Sequence, residues 1–324
     1  MRLKVLRPLA QVGVGVAIIL WLLQLADASK VLATILSLNP VYVVLASIFF
    51  IIASIMVALA LYVALKRSGL RPSLRNVVMA SFGGQLLSDV TPARSGYFLT
   101  PFILNKLDDT PIKSGMAGVV VTGAANFFVK ATLSLVALAY FTRLLPLDPM
   151  IVNALLVGIS LLIAGGLGLS MLMWWRRLPR LVERLGKLPA LGRAMSKIVE
   201  MLDRLQEERE VGGSFAHVTL LMLLSVVANA TALYFISTAL WSGSPSLLDF
   251  VFMASLAGAL MYVPITIAGL GLQEGGYVAL ATLLGMPLRE AVAFALIARL
   301  LFTGTDIIGL QPLLKIGVKA PPKP

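Results

Sequence analysis

Six ionisable residues interrupt otherwise apolar stretches of this sequence: Asp89, Arg94, Lys130, Glu274, Arg299 and Asp306. A charge at the centre of a bilayer helix costs about 2.5 to 3.5 kcal/mol, so each needs a partner, a wet cavity or a task. The chemistry they offer is electrostatic. A planar guanidinium donates two parallel hydrogen bonds to a phosphate, which suits Arg94 and Arg299, with Lys130 as a third cation for the same head group. Asp89, Glu274 and Asp306 are the residues to position those cations or to bind a coupling proton or cation. The structural alternative is plain pairing, for instance Arg94 with Asp89 or Arg299 with Asp306. Residues 299 and 306 are seven apart, two turns along one helix face and too far for direct contact, so pairing across different segments is equally consistent.

Catalytic constellations are missing. The chain has no cysteine and one histidine, which leaves no thiolate nucleophile, no Cys metal site and little for His-based catalysis. His217 falls near a predicted span end and reads as an interfacial residue. No nucleotide-binding loop occurs, and Gly269-Leu270-Gly271 lacks the βαβ context of a dinucleotide fingerprint. Neither enzyme activity nor a cofactor nor a metal is expected.

The elements that must position these residues are transmembrane helices. Of 324 residues, 59% are hydrophobic and 13% charged, too few polar groups to cover a soluble globule. Spans of about 20 apolar residues are predicted over 8–26, 39–65, 114–142, 149–175, 214–248 and 291–314. Two further apolar stretches, 76–104 and 250–287, are broken in their middles. The first contains Asp89, Pro92, Arg94 and Gly96; the second contains Pro264, Gly269, Gly271, Glu274, Gly275 and Gly276. Each half is too short to span, so both read as re-entrant hairpins whose irregular backbone faces the protein interior. The fold class is therefore an all-α polytopic bundle over 1–314, with six full spans, two hairpins and a disordered tail at 315–324. The stretch 176–213 reads as a cytoplasmic amphipathic connector, on which Met195, Ile198, Val199, Leu202 and Leu205 recur at helical spacing. It either lies on anionic head groups or docks on the bundle.

Charge placement agrees with this scheme. With both termini on the cytoplasmic side, the inner segments hold 21 basic and 8 acidic residues and the outer ones 3 and 4. The three cations and three anions at membrane depth balance. The net +12 thus reports orientation in a cell membrane and contact with anionic lipid, not a nucleic-acid partner. Tyr42, Trp21, Trp174, Trp175 and Trp241 fall near span ends, as aromatic-belt residues do.

A weak internal repeat runs through the chain. Pro111-Ile112-Lys113-Ser114-Gly115-Met116-Ala117 and Pro287-Leu288-Arg289-Glu290-Ala291-Val292-Ala293 share a pattern, and each follows a break containing a Gly-Tyr pair, Gly96-Tyr97 or Gly276-Tyr277. The two units would have opposite orientation in the membrane, an inverted repeat of the kind secondary transporters use around a midplane site.

In this order the motifs resemble the flippase-like transmembrane domain of lysylphosphatidylglycerol synthases, the multiple peptide resistance factor family. Thr91-Pro92-Ala93-Arg94-Ser95-Gly96 is similar to its P-x-R-x-G-E element. The stretch 269–276, followed by Pro287-Leu288 and Ala298-Arg299-Leu300-Leu301, is similar to its G-x-G-x-x-E-G and downstream arginine pattern. Tyr97 departs from the family's usual acidic residue, and Ile267-Ala268 stand where Pro-Gly is common. The resemblance implies a bundle that moves phospholipid or polyprenyl-phosphate-type lipid between leaflets. It does not supply the aminoacyltransferase chemistry of the two-domain synthases, and neither a soluble catalytic domain nor a glycosyltransferase domain is expected here. The partners implied are anionic or phosphate-bearing membrane lipids; a homo-oligomer is left open. Two alternatives remain: a membrane component of isoprenoid-linked glycan synthesis, and a small-solute or ion secondary transporter.

Overall fold

A computed structural model of the chain describes residues 2–144, 149–185, 199–200, 202–203, 205–207, 209–243 and 245–318. The described residues are helical, with α1 Arg2–Ala26, α2 Ala28–Leu36, α3 Pro40–Arg67, α4 Leu74–Asp89 and α5 Thr100–Asp108. There follow α6 Ile112–Leu144, α7 Pro149–Trp174, α8 Leu178–Leu185, α9 Phe215–Leu240, α10 Leu247–Leu260, α11 Leu272–Leu283, α12 Leu288–Asp306 and α13 Leu310–Val318. Six segments are long and apolar enough to cross a membrane: Leu9–Ala26, Pro40–Arg67, Ile112–Arg143, Pro149–Trp174, Glu210–Leu240 and Leu288–Lys315. The protein is a multi-pass membrane protein.

Local chemistry accounts for several boundaries. Asn39 caps α3 by accepting from Val41 N–H (3.0 Å), Pro40 occupies its first turn, and Lys66 and Arg67 close its last. Ser246 and Asp249 form a reciprocal capping box at α10. Leu9, Leu20, Leu36 and Met150 leave large apolar side chains exposed, as lipid-facing positions do. Inside, small residues allow helices to approach closely. A methyl at Gly158 of α7 would already stand 3.2 Å from Ala259 of α10. Along α3 and α9, Ser225 donates to the Ala53 carbonyl (3.0 Å) and Phe49 meets Phe235 with ring centres 5.6 Å apart.

The two interrupted stretches each form a helix, a break and a second helix. In the first, α4 and α5 flank residues 90–99, the last five of which make a 3-10 turn. Their outer ends meet. Asp108, at the end of α5, accepts from Ser73 N–H (2.8 Å) and from Asn76 (3.1 Å) at the start of α4. In the second, α10 and α11 flank residues 261–271, and Gly285 beyond α11 lies beside the Trp241 ring that precedes α10. The first unit leads into the start of long helix α6, whereas Tyr140 near the end of α6 donates to Asp249 of α10 (3.0 Å).

Several boundaries differ from the sequence reading. Glu274, Gly275 and Gly276 lie in the first turns of α11 rather than in the break. The reason is that Glu274 itself caps that helix, accepting from Gly271 N–H at 2.6 Å. The span expected over 214–248 ends at Leu240, and α10 begins only at Leu247. The last span is interrupted by a 3-10 turn at Ile307–Gly309, and residues 315–318 of the expected tail continue α13. A short helix, α2, follows a turn at Asp27 that apolar content alone could not show. Of the connector, 186–198 and thus Met195 and Ile198 lie outside the described residues, as do 319–324. Its described part docks on the bundle: Leu202 and Leu205 are buried, and Gln206 donates to the Leu172 and Trp175 carbonyls (3.3 and 3.1 Å) at the end of α7.

Candidate functional site

The two breaks meet. Pro92 and Ile267 form an antiparallel backbone bridge, and each is followed by two residues at positive φ. These are Ala93 (51°) and Arg94 (55°) on one side, and Ala268 (47°) and Gly269 (70°) on the other. The crossing thus has a local two-fold character. Gly96, Gly271 and Gly269 are constrained by space as well: a methyl at Gly96 would overlap the Leu87 backbone, one at Gly271 would reach Gly15 of α1, and one at Gly269 would press on Met261. Gly275 faces open space, and Gly276 lies against Leu260. Gln11 of α1 ties down the second break by donating to the Pro264 carbonyl (2.8 Å).

An alanine in the left-handed region carries strain that glycine does not. Ala268→Gly is therefore expected to stabilise the protein by about 0.5 to 1 kcal/mol, after allowing for glycine's greater freedom in the unfolded chain. A rise in the thermal unfolding midpoint in detergent is the expected result; an unchanged or lower midpoint counts against the strain.

Beside the crossing lies a cavity of about 170 Å³, lined by both breaks and by α3, α4, α6, α9, α10 and α12. Arg94, Lys130 and Arg299 all line it. Their partners differ. Arg299 is tied by its Nε–H to Glu274 and reaches the Ala268 carbonyl (3.4 Å) with its terminal nitrogens. Glu274 is 1% exposed and holds both Arg299 and the Gly271 N–H, so it pins α12 to the second break. Arg94 reaches Asp89 at 3.3 Å and Asp306 at 3.9 Å through one nitrogen and stacks over the Phe302 ring at 5.0 Å. Asp306 thus faces the first break and not its helix neighbour Arg299, as the seven-residue spacing requires.

Lys130 is different. Among the described residues it has no carboxylate partner. Its ammonium stands 3.5 Å from the Tyr262 hydroxyl and 5.3 Å from that ring's centre, and Asn126 donates to the same hydroxyl (3.2 Å). The six membrane-depth charges therefore resolve into one closed pair, one arginine shared by two carboxylates, and one cation held only by an aromatic hydroxyl.

These features join the motif order to one geometry, and comparison with protein families decides the membership. The description "Lysylphosphatidylglycerol synthase TM region" matches residues 9–306. The chain belongs to that family. None of the curated proteins compared matches it. Ile267 and Ala268 are the bridge and its left-handed successor, a position whose positive φ glycine would adopt without strain. Tyr97, the other departure, is directed to Ser81 (3.5 Å) and lines the cavity.

Sequence reasoning passed over Tyr262, Asn126, Ser54 and Gln85, which are among the polar residues of the lining. The signal for Tyr262 was its place in Met261-Tyr262-Val263-Pro264, at the opening of a predicted break. His217 is exposed and does not line the cavity. Trp21 is exposed, whereas Trp174 packs edge-on against Phe215 (5.5 Å).

Proposed function

We propose that this protein moves an anionic, phosphate-bearing lipid between the leaflets of the cell membrane, taking its head group into the cavity at the crossing of the two broken units. The observation that carries this reading is Lys130, a cation lining the cavity that has no carboxylate partner among the described residues. The N–H groups of Arg94 not turned to Asp89 add donors to the same cavity, while Arg299 and Glu274 hold the scaffold. At about 170 Å³ the cavity is smaller than the several hundred cubic ångströms that enclose a drug-sized ligand, which suits a head group whose acyl chains stay in lipid.

In this reading the broken units are re-entrant hairpins that open toward opposite leaflets and form an inverted repeat. The meeting of α4 and α5 at one end of α6, the contact of α10 with its other end, and the paired left-handed residues at the bridge support that arrangement. Both termini are cytoplasmic, the partners are membrane lipids, and no catalytic step is assigned.

Vesicles containing the purified protein and a labelled anionic phospholipid test it. Wild type should exchange the lipid between leaflets well above protein-free vesicles, and Lys130→Ala should cut the rate at least tenfold at unchanged thermal stability. An unchanged rate in Lys130→Ala contradicts the role of the cavity. Competition by free phosphate at the same efficacy as lipid would point instead to a small-anion transporter, and formation of a lipid-linked glycan would point to a biosynthetic role.

A further inference from the structure

Asp89 closes α4 and Asp306 closes α12, and one terminal nitrogen of Arg94 reaches a carboxylate oxygen of each, at 3.3 and 3.9 Å, which sets the two carboxyl groups side by side. Their side chains are 5% and 0% exposed. Beyond the ion contacts to Arg94, none of their four oxygens receives a hydrogen bond among the described residues. The nearby Ser54 hydroxyl is turned to Gln85 Oε1 (3.3 Å), and the Gln85 amide nitrogen is itself buried without a partner. Two buried carboxylates cannot donate to each other, so as drawn from two ionised groups the contact is repulsive.

One proton changes the chemistry. It turns one carboxyl into a donor for its neighbour, satisfies two of the orphaned oxygens and leaves the pair with a single negative charge, which Arg94 matches. A metal cation fits less well, because the guanidinium already reaches both carboxylates and repels a second positive ion. The other titratable groups on the neighbouring elements are engaged elsewhere. Glu274 of α11 holds Arg299, Lys130 of α6 and Tyr262 of the second break face each other, and Tyr97 faces Ser81. Lys30 of α2 pairs with Asp27 at the surface (2.8 Å), and Tyr234 of α9 packs on Phe250.

We propose that Asp89 and Asp306 hold one proton between them and that this proton travels with the anionic head group. The coupling rests on the anion-binding reading above. With the proton in place, Arg94, Lys130 and Arg299 face the equivalent of two negative charges, so the cavity carries one net positive charge for a monoanionic phosphate. With the proton gone the cavity is neutral and releases the anion. Uptake and release are one O–H bond made or broken at the carboxyl pair, exchanged with water on the side to which the cavity is open.

The site is tested on the full-length protein in lipid by infrared difference spectroscopy near neutral pH. A protonated-carboxyl C=O band that shifts in heavy water and is lost in both Asp89→Asn and Asp306→Asn is expected. Absence of the band in wild type, its survival in both variants, or its appearance only when sodium is withdrawn overturns the proton assignment. In vesicles containing a pH-sensitive dye, movement of the labelled anionic lipid should carry protons inward and accelerate several-fold with an opposing proton gradient removed. Lipid movement indifferent to the gradient overturns the coupling while leaving the lipid reading standing. No lipid movement, with the infrared band present, overturns the lipid reading and the coupling but keeps the proton pair.

Discussion

Arg94→Ala is expected to cost about 3 to 5 kcal/mol of stability, the scale at which removing one member of a buried ion pair leaves its partner uncompensated. The cost arises because a single arginine serves two carboxylates. Asp89 and Asp306 come from α4 and α12, and Arg94 is the cation that both reach, at 3.3 and 3.9 Å. Without it the first break loses its tie to the last long helix, and Phe302 loses the guanidinium over its ring. Thermal unfolding in detergent measures the effect. A conservative Arg94→Lys variant keeps the charge and should recover more than half of the loss, although it cannot reproduce the stacked fork. Full protonation of the pair removes the charge that Arg94 would otherwise match, so the deficit of Arg94→Ala should shrink in acid. An alanine variant that unfolds with wild-type stability at neutral pH contradicts the arrangement.

The second large effect lies at Glu274 and Arg299. Glu274 is almost fully buried and has two duties, accepting from the Gly271 N–H at 2.6 Å and binding the Arg299 Nε–H. Glu274→Ala therefore removes a helix cap and strands a guanidinium that is 13% exposed, and a loss of about 3 to 5 kcal/mol follows. Removing both charges, with Glu274→Leu and Arg299→Leu together, should cost clearly less than the sum of the single changes, because neither residue is then left alone. A coupling of about 2 kcal/mol or more in such a cycle is expected. Additive single effects would mean that the two side chains do not meet. Lys130 supplies the contrast: it closes no ion pair among the described residues, so Lys130→Ala is expected to change function with little change in stability. The split between variants that unfold the protein and one that only disarms it is the signature of the proposed roles.

The apolar runs made the long helices legible because a span is set by length and hydropathy, both local properties. The breaks were legible too, since Pro92, Gly96, Pro264, Gly269 and Gly271 each oppose helix at their own position. What lay beyond local reasoning was the end of the second break. Gly275 and Gly276 read as loop residues, yet Glu274 caps the helix that contains them, and a cap depends on where a side chain folds back. The pairing of Asp306 shows the same limit from the other direction. Helical spacing excludes Arg299 as its partner but is silent on which distant segment supplies one, and that segment is the first break. Lys130, Tyr262 and Asn126 come from α6 and the second break, more than a hundred residues apart in the chain, so their meeting is a property of packing alone.

The crossing itself has a physical reading. A proline or isoleucine makes the bridge, and the next two positions turn left-handed on each side. Alanine at both first positions and arginine at one second position accept strain that glycine would relieve, and Arg94 is thereby aimed at Asp89, Asp306 and the cavity rather than along its own helix. Backbone strain and buried charge occur at the same few residues, the combination expected where a site has been built at the expense of local preference.

The central claim is that a phosphate-bearing head group enters the cavity between the two breaks and is met there by Lys130. A cryo-electron microscopy structure of the wild-type protein in nanodiscs of anionic phospholipid tests this most directly. Density for a lipid phosphate within hydrogen-bonding distance of Lys130, beside Tyr262 and Arg94, with its acyl chains leaving toward the bilayer, is the predicted result. A cavity that holds water alone, with lipid ordered only along the outer faces of the long helices, would contradict it.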